Sequence, residues 1–225
     1  MTMDNILYDK HYNCLACDSE FKTKKVRSGK IRTTHIDSDL CSYYDGIVPY
    51  YYEINICPQC GFAFTDSFAP LKTNQKQMIY EDYAKRYLPQ GVPNLCDERD
   101  EHEAILSFRL ALGAGFAMKE QPKLLAGICM RLAWLHRMAE RPEAEHEFLD
   151  AANRFFQVAY ETQQDSLGDA YYLHMLGDTS LRLDRISEAR RWFSQLFAPA
   201  NSGYRYIELA RDAWAEHRYE QETTN

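Results

Sequence analysis

The arrangement of hydrophobic and polar positions changes character near Ala69-Pro70. Before this point Tyr, Thr, Ile and Val are frequent and turn-forming residues interrupt them at short intervals, which is typical of short strands joined by turns. The clearest expected strand runs from Tyr50 to Ile56, because it is aromatic and β-branched and alternates apolar with polar residues towards its end. The pattern therefore predicts a small β module over residues 1–70.

The second part of the chain has a helical period. Apolar residues recur there at spacings of three and four, which places them on one face of a helix, and two such sets begin at Ala104 and Leu125. We expect about six helices from Asp97 to the C-terminus, joined by short turns into an antiparallel array. Residues 71–92 are expected to hold one earlier helix and a Pro/Gly-rich linker.

One pair of the expected helices has a repeat-like pattern. Leu173, Leu176 and Gly177, followed by Ala189 and Phe193, match the tetratricopeptide pattern, in which a small residue lets the second helix pack closely on the first. A degenerate copy begins at Arg131. A plain helical bundle explains the same periodicity. The predicted fold class is α+β, with a zinc-ribbon-like β module (1–70), a helix and linker (71–92) and a tetratricopeptide-like helical domain (93–225).

The repeat interpretation also predicts a binding surface. The first helix of a tetratricopeptide unit lines the concave side, so Tyr171, His174, Asp178 and Arg182 are expected to face a partner peptide. The alternative is that these four residues form an ordinary solvated helix face.

Composition and charge exclude some classes of function. The chain has 225 residues, with 26 Lys plus Arg, 33 Asp plus Glu and a formal net charge of −7. This balance argues against nucleic-acid or membrane binding without sequence preference, which depends on Lys and Arg. The longest apolar stretch, Leu110 to Met118, covers nine residues, about half of the roughly 18 that suggest a membrane span. Because the first residues do not form a signal peptide, we expect a cytoplasmic protein without a membrane partner.

Four of the seven cysteines form two C-x-x-C pairs, Cys14 with Cys17 and Cys57 with Cys60, separated by 39 residues. Two such turns present four thiolates to one tetrahedral ion, and backbone N–H groups can donate hydrogen bonds to the sulfurs. Gly61 permits the positive φ that ends such a turn. Zinc is the expected metal, although iron stays open because rubredoxin-type sites use the same ligands.

The closed ligand set favours a structural metal. A catalytic zinc keeps an open position and normally includes His or a carboxylate among its ligands, whereas four cysteines complete the shell. A thioredoxin-like redox pair is disfavoured, because both C-x-x-C pairs border strand-like sequence and not the start of a helix in a βαβ unit.

A polar set lies between the two cysteine pairs. Arg27, Arg32, Asp37 and Asp39 are expected to form an Arg–Asp network that pins this long insert, and the alternative is a ligand pocket. The insert also contains a basic run that suggests nucleic-acid contact through phosphates, with nearby tyrosines for stacking. The run consists of Lys22, Lys24, Lys25, Arg27, Lys30 and Arg32.

Several motifs of the first 70 residues occur together with specific spacing. They are Cys14-x-x-Cys17, Phe21, Val26-Arg27, Arg32, Asp37-x-Asp39, Tyr44, Pro49-x-Tyr51-Tyr52 and Cys57-Pro58-x-Cys60-Gly61-Phe62-Ala63. With Arg131-Leu132-Ala133-Trp134, this combination resembles the bacterial family of unknown function number 2225 over nearly the whole chain. The first pair departs from the family's usual Cys-Pro-x-Cys-Gly. The resemblance implies a metal-binding module followed by tetratricopeptide-like helices, and it brings no established activity.

These observations favour an adaptor that binds a protein or peptide through its helices and is stabilised by zinc. Nucleic-acid binding or regulation through the ribbon is the first alternative. An enzyme with a pocket at Arg27, Arg32, Asp37 and Asp39 is the second, and it is less favoured because no set of nucleophile, base and orienting residue can be identified.

Overall fold

The structure is a computed structural model that describes residues 6–87, 91, 94–162, 168–198 and 204–224. Within these ranges six short strands form three antiparallel hairpins, and seven α-helices follow. This arrangement confirms the α+β class. The strands are β1 (Leu7–Asn13), β2 (Glu20–Val26), β3 (Thr33–Ile36), β4 (Ser42–Tyr44), β5 (Asn55–Ile56) and β6 (Ala63–Phe64). The helices are α1 (Thr73–Tyr87), α2 (Glu101–Met118), α3 (Pro122–Met138), α4 (Pro142–Thr162), α5 (Gly168–Arg182), α6 (Ile186–Leu196) and α7 (Tyr204–Thr224).

The strand predicted from Tyr50 to Ile56 is shorter than expected. Only its last two residues form β5, while Pro49–Tyr52 form a 3₁₀ helix. Proline at the first position favours this turn because its φ is fixed near the helical value. The 3₁₀ helix buries Tyr50 and Tyr52, which are each 4% exposed, so the aromatic run fills the core without pairing as a strand.

The helices begin where the sequence supplies caps. Asp100 caps α2 by accepting a hydrogen bond from the Glu103 backbone N–H, and the Glu103 side chain accepts one from the Asp100 backbone N–H. α3 and α4 each begin with proline. Six helices follow residue 97 in the described ranges, as predicted, and α2 to α6 pack consecutively. The linker predicted at 89–93 lies outside the described residues except for Gly91.

The α5–α6 hairpin has the close helix contact that the repeat pattern predicted. A Cβ atom placed on Gly177 would lie 2.3 Å from the Phe193 ring, so only glycine permits this approach. Phe193 and Ala189 are buried on the facing side of α6.

The β module and the helices share one hydrophobic core. The segment before α2 belongs physically to the module, because the Lys24 backbone N–H donates to the Cys96 carbonyl at 2.8 Å. The buried guanidinium of Arg99 donates to the carbonyls of Tyr51 and Ile54, at 3.0 and 2.9 Å. The division at residues 70 and 92 stays a prediction. None of the helices in the described ranges is long and apolar enough to cross a membrane.

Candidate metal centre

The two cysteine pairs lie in two turns with the same backbone pattern. The first turn joins β1 to β2, and the second joins β5 to β6. The Asp18 N–H donates to the Cys14 carbonyl at 3.0 Å, and the Gly61 N–H donates to the Cys57 carbonyl at 2.9 Å. Both turns end in the left-handed region, with φ of 58° at Asp18 and 75° at Gly61. Aspartate tolerates this conformation better than most residues, so the first pair keeps the turn without glycine.

The two turns bring their sulfur atoms together. The Sγ atoms of Cys14 and Cys60 are 3.7 Å apart, those of Cys17 and Cys57 are 3.6 Å apart, and all four lie within 4.8 Å of one another. A tetrahedral ion with metal–sulfur bonds of about 2.3 Å places its sulfurs about 3.8 Å apart. These separations far exceed the roughly 2.05 Å of a disulfide. The four predicted ligands therefore form a cluster suited to one metal ion.

The surroundings of the cluster suit a buried ion. Cys14, Cys57 and Cys60 are at most 1% exposed, and only Cys17 is partly accessible. The Ala16 N–H donates to the Cys14 sulfur at 3.4 Å, as is common around metal thiolates. Hydrogen bonding with Cys14 and Cys60 lowers the pKa of Cys57, and hydrogen bonding with Cys14 and Cys57 raises the pKa of Cys60. A divalent cation supplies the charge that allows all four thiols to ionise.

A second polar cluster joins the insert between the cysteine pairs to the helices. Asp39 is 0% exposed, and its carboxylate accepts hydrogen bonds from the Cys41 N–H, the Trp134 indole N–H and Arg137. Burial alone raises the pKa of this carboxyl, but the charges of Arg182 and Arg137 hold it below its usual value. Asp39 is therefore a buried, paired anion.

Arg137 is the centre of this second cluster. Its guanidinium nitrogens lie 2.7 Å from carboxylate oxygens of Asp37, Asp39 and Glu145. The sequence analysis missed Arg137, and it named Trp134 only as part of the family motif. The position of Arg137 was the available signal: this residue lies within one turn of a buried apolar run on α3, and a cation in such a place needs a buried partner.

The helix face predicted to bind a partner peptide contacts the chain's own insert. A ring nitrogen of His174 lies 2.8 Å from the Ser38 carbonyl, and Arg182 donates to the Ser38 hydroxyl at 3.1 Å. Arg182 also pairs with Asp178 at 2.8 Å. Tyr171 packs edge-on against Phe156, Tyr172 and Tyr206. Residues 37–40, here called the docking loop, thus occupy the position that the sequence analysis assigned to a partner.

The predicted four-residue Arg–Asp network is not formed. Asp37 and Asp39 pair with Arg137 and Arg182 from the helices, whereas Arg27 stacks over Tyr8 at 4.7 Å. Arg32 is exposed, and its described hydrogen bond is through its backbone carbonyl. The sequence analysis paired neighbours in the chain, whereas the aspartates required cations that could be buried beside them.

Three lysines of the basic run have partners within the module. Lys24 and Lys22 pair with Asp9 across the β1–β2 hairpin, at 2.9 and 3.6 Å. The Lys25 ammonium donates to the backbone carbonyls of Tyr52 and Glu53, and burial lowers its pKa to about 8. These contacts leave less positive charge for phosphates than the sequence suggested.

Comparison with protein families gave one match. The family described as "Uncharacterized protein conserved in bacteria (DUF2225)" matches residues 7–217, which include the four cysteines, the docking loop and α1 to α6. No curated protein and no solved structure matched the chain. The match covers both halves of the molecule, in agreement with the motif resemblance, so the chain belongs to this bacterial family.

Proposed function

We propose that the chain is a zinc-stabilised adaptor of the bacterial cytoplasm that binds a protein partner through its helices. The observation that carries the proposal is the closed cluster of four cysteine sulfurs, with separations close to those of a tetrahedral zinc site. Such a site holds a fold together and leaves no open position for a substrate. Reduced thiols also suit the cytoplasm.

Metal analysis of the protein purified without added metal tests the zinc proposal. We expect one zinc per chain in the wild type and in Cys129→Ala, because Cys129 is a buried residue of α3 outside the cluster. Cys57→Ser removes one thiolate, and we expect it to retain little or no zinc. A content of one iron per chain identifies a rubredoxin-type site instead of a zinc site. Equal metal contents in Cys57→Ser and Cys129→Ala contradict the ligand assignment.

The adaptor proposal is supported by an exposed apolar patch on α2 and α4, here called the outer patch. Phe116 of α2 is 54% exposed, and its ring centroid lies 5.8 Å from that of Phe155 on α4. Val158, on the next turn of α4 after Phe155, is 43% exposed. Exposed apolar residues that form a contiguous patch are typical of interaction sites. The docking loop contacts His174 and Arg182 on the face of α5 that the sequence analysis assigned to a partner, so we assign partner binding to the outer patch.

Affinity capture with the intact, metal-loaded chain tests partner binding. The proposal expects a defined protein to be retained by the wild type and by Met78→Asp, a substitution at a 70% exposed residue of α1. Phe116→Asp places a charge in the patch, and we expect it to release that protein. Retention by all three proteins, or by none under several growth conditions, contradicts the proposal.

A further inference from the structure

A cleft lies between the β module and helices α3 and α5. It consists of two adjoining cavities, of about 600 Å³ and about 350 Å³. Glu53, Gly127, Arg131 and Tyr171 line both of them. This size is within the range of small-molecule sites, which are usually concave, partly apolar and equipped with a few polar groups.

Arg131 presents an open hydrogen-bonding edge to this cleft. Its Nε donates to a Glu53 carboxylate oxygen at 3.3 Å, whereas its two terminal nitrogens have no hydrogen-bond partner within the described ranges. About one third of the side chain is exposed, at 33%. The guanidinium is held over the rings of Trp134 and Tyr50, with its central carbon 4.6 and 5.6 Å from their centroids. The cation is thus fixed in place with two aligned donors free.

Other residues of the cleft define what kind of group fits. Tyr50 and Trp134 are at most 4% exposed, so they support the Arg131 guanidinium from beneath and offer no free face to a ligand. The accessible apolar surface comes from the partly exposed ring of Tyr171, which lines both cavities, and from Leu124 in the larger one. The carboxylate of Asp39 also borders the smaller cavity, but Arg137 and Arg182 neutralise it. The larger cavity is lined by two cationic residues, Lys123 and Arg131, and by two carboxylates, Glu53 and Glu120.

We infer that this cleft binds a small molecule that carries a carboxylate or phosphate on a flat apolar body. The oxyanion is received by the two terminal nitrogens of Arg131, which form the planar fork that binds such groups in a bidentate manner. The flat body packs against the partly exposed ring of Tyr171, which lines both cavities. The site differs from the metal cluster and from the outer patch, so it does not depend on the proposed adaptor function.

Calorimetric titration of the intact, metal-loaded chain tests this inference. The probes are benzoate and phenyl phosphate, which carry the two oxyanions on the same ring, and benzamide is the neutral control. We expect at least one of the two anions to bind more tightly than benzamide. The stronger of the two identifies whether the site prefers a carboxylate or a phosphate.

Three variants separate a built site from general charge attraction. Arg131→Gln removes the fork, and we expect anion affinity to fall about tenfold or more. Glu53→Gln removes the competing carboxylate, and we expect equal or tighter binding. Arg27→Gln removes the same charge from an exposed arginine that stacks over Tyr8, and we expect no change.

Each alternative outcome is decisive. Equal binding of benzamide and the anions, or no binding of any probe at millimolar concentration, overturns the inference. An unchanged affinity in Arg131→Gln assigns the anion to another site. If Arg131→Gln does not fold, Arg131→Lys takes its place, because it keeps the positive charge and removes the planar fork, and an unchanged anion affinity in that variant overturns the inference.

Discussion

Replacing Asp39 by alanine is expected to destabilise the whole molecule, although Asp39 lies in a loop. The carboxylate is 0% exposed and joins the docking loop to α3 through Trp134 and Arg137, and to α5 through Arg182. Removing one member of a buried ion pair leaves its partners in the interior without compensation, which costs about 3–5 kcal/mol.

The structure indicates the lower end of this range. Arg137 keeps Asp37 and Glu145, each at 2.7 Å, so its charge stays paired in the variant. The Trp134 indole N–H has no other described acceptor and loses its hydrogen bond. Since these costs overlap, we expect the free energy of unfolding to fall by about 3 kcal/mol.

Urea unfolding at saturating zinc measures this change, because a lower urea midpoint with an unchanged dependence of the free energy on urea concentration reports a loss of stability. Asp9→Ala is the matched control, because Asp9 pairs with Lys24 on the surface, where such pairs contribute little, and no measurable change is expected. If the midpoint of Asp39→Ala differs no more from the wild type than that of Asp9→Ala, the docking loop does not hold the two halves together.

The pH dependence of stability in the wild type and in Asp39→Ala gives a second test. Although burial opposes it, the charges of Arg182 and Arg137 keep the pKa of folded Asp39 below its ordinary value. A carboxyl with a lowered folded pKa contributes stability above its unfolded pKa, about 3.9, and loses it as the pH falls through the folded pKa. The stability difference between the wild type and Asp39→Ala is therefore expected to shrink below about pH 4 and to stay constant between pH 6 and 8.

Two further predictions concern the helix contact and the metal. Gly177→Ala places a methyl group 2.3 Å from the Phe193 ring, so we expect the free energy of unfolding in urea to fall by about 1–3 kcal/mol. In the control Gly113→Ala the new methyl group meets no atom within 4 Å, and we expect no change or a gain of up to about 1 kcal/mol. A similar effect of both substitutions contradicts the close packing. Cys60→Ser is expected to abolish the one-to-one zinc content and lower the thermal midpoint, unlike Cys129→Ala, and a metal-free wild type refutes the metal centre.

The sequence was sufficient to predict the features that depend on local spacing. The two C-x-x-C pairs identified Cys14, Cys17, Cys57 and Cys60, because the residues of each turn are near neighbours and their ligand chemistry is specific. The 3.6-residue period predicted the helices after residue 97 for the same reason. Gly177 was identified as a close-packing residue because the facing helix is only a short turn away in the chain.

The polar cluster could not be predicted, because its members are distant in sequence. Asp39 and Arg137 are 98 residues apart, and Asp39 and Trp134 are 95 apart. A carboxylate near two arginines in the chain gives no information about which cation becomes buried beside it. The sequence analysis therefore paired Asp39 with Arg27 and Arg32. In the fold both arginines are exposed, Arg27 directly after β2 and Arg32 directly before β3.

The metal cluster and the docking loop are coupled through the chain that connects them. The loop lies within the 39 residues between Cys17 and Cys57, so one ion bound by both turns closes this segment into a ring. Closing a ring of this length removes about 4 kcal/mol of conformational entropy from the unfolded chain by the relation used for covalent cross-links. Part of this constraint is also supplied by the hairpins, which makes the figure an upper estimate. The coupling is reciprocal: a metal ion held by the four cysteines lowers the entropic cost of placing Asp39 beside Arg137, and docking of the loop in turn holds the two turns at ligand distance. The metal affinity of the cysteine cluster and the stability of the docked loop are therefore expected to rise and fall together.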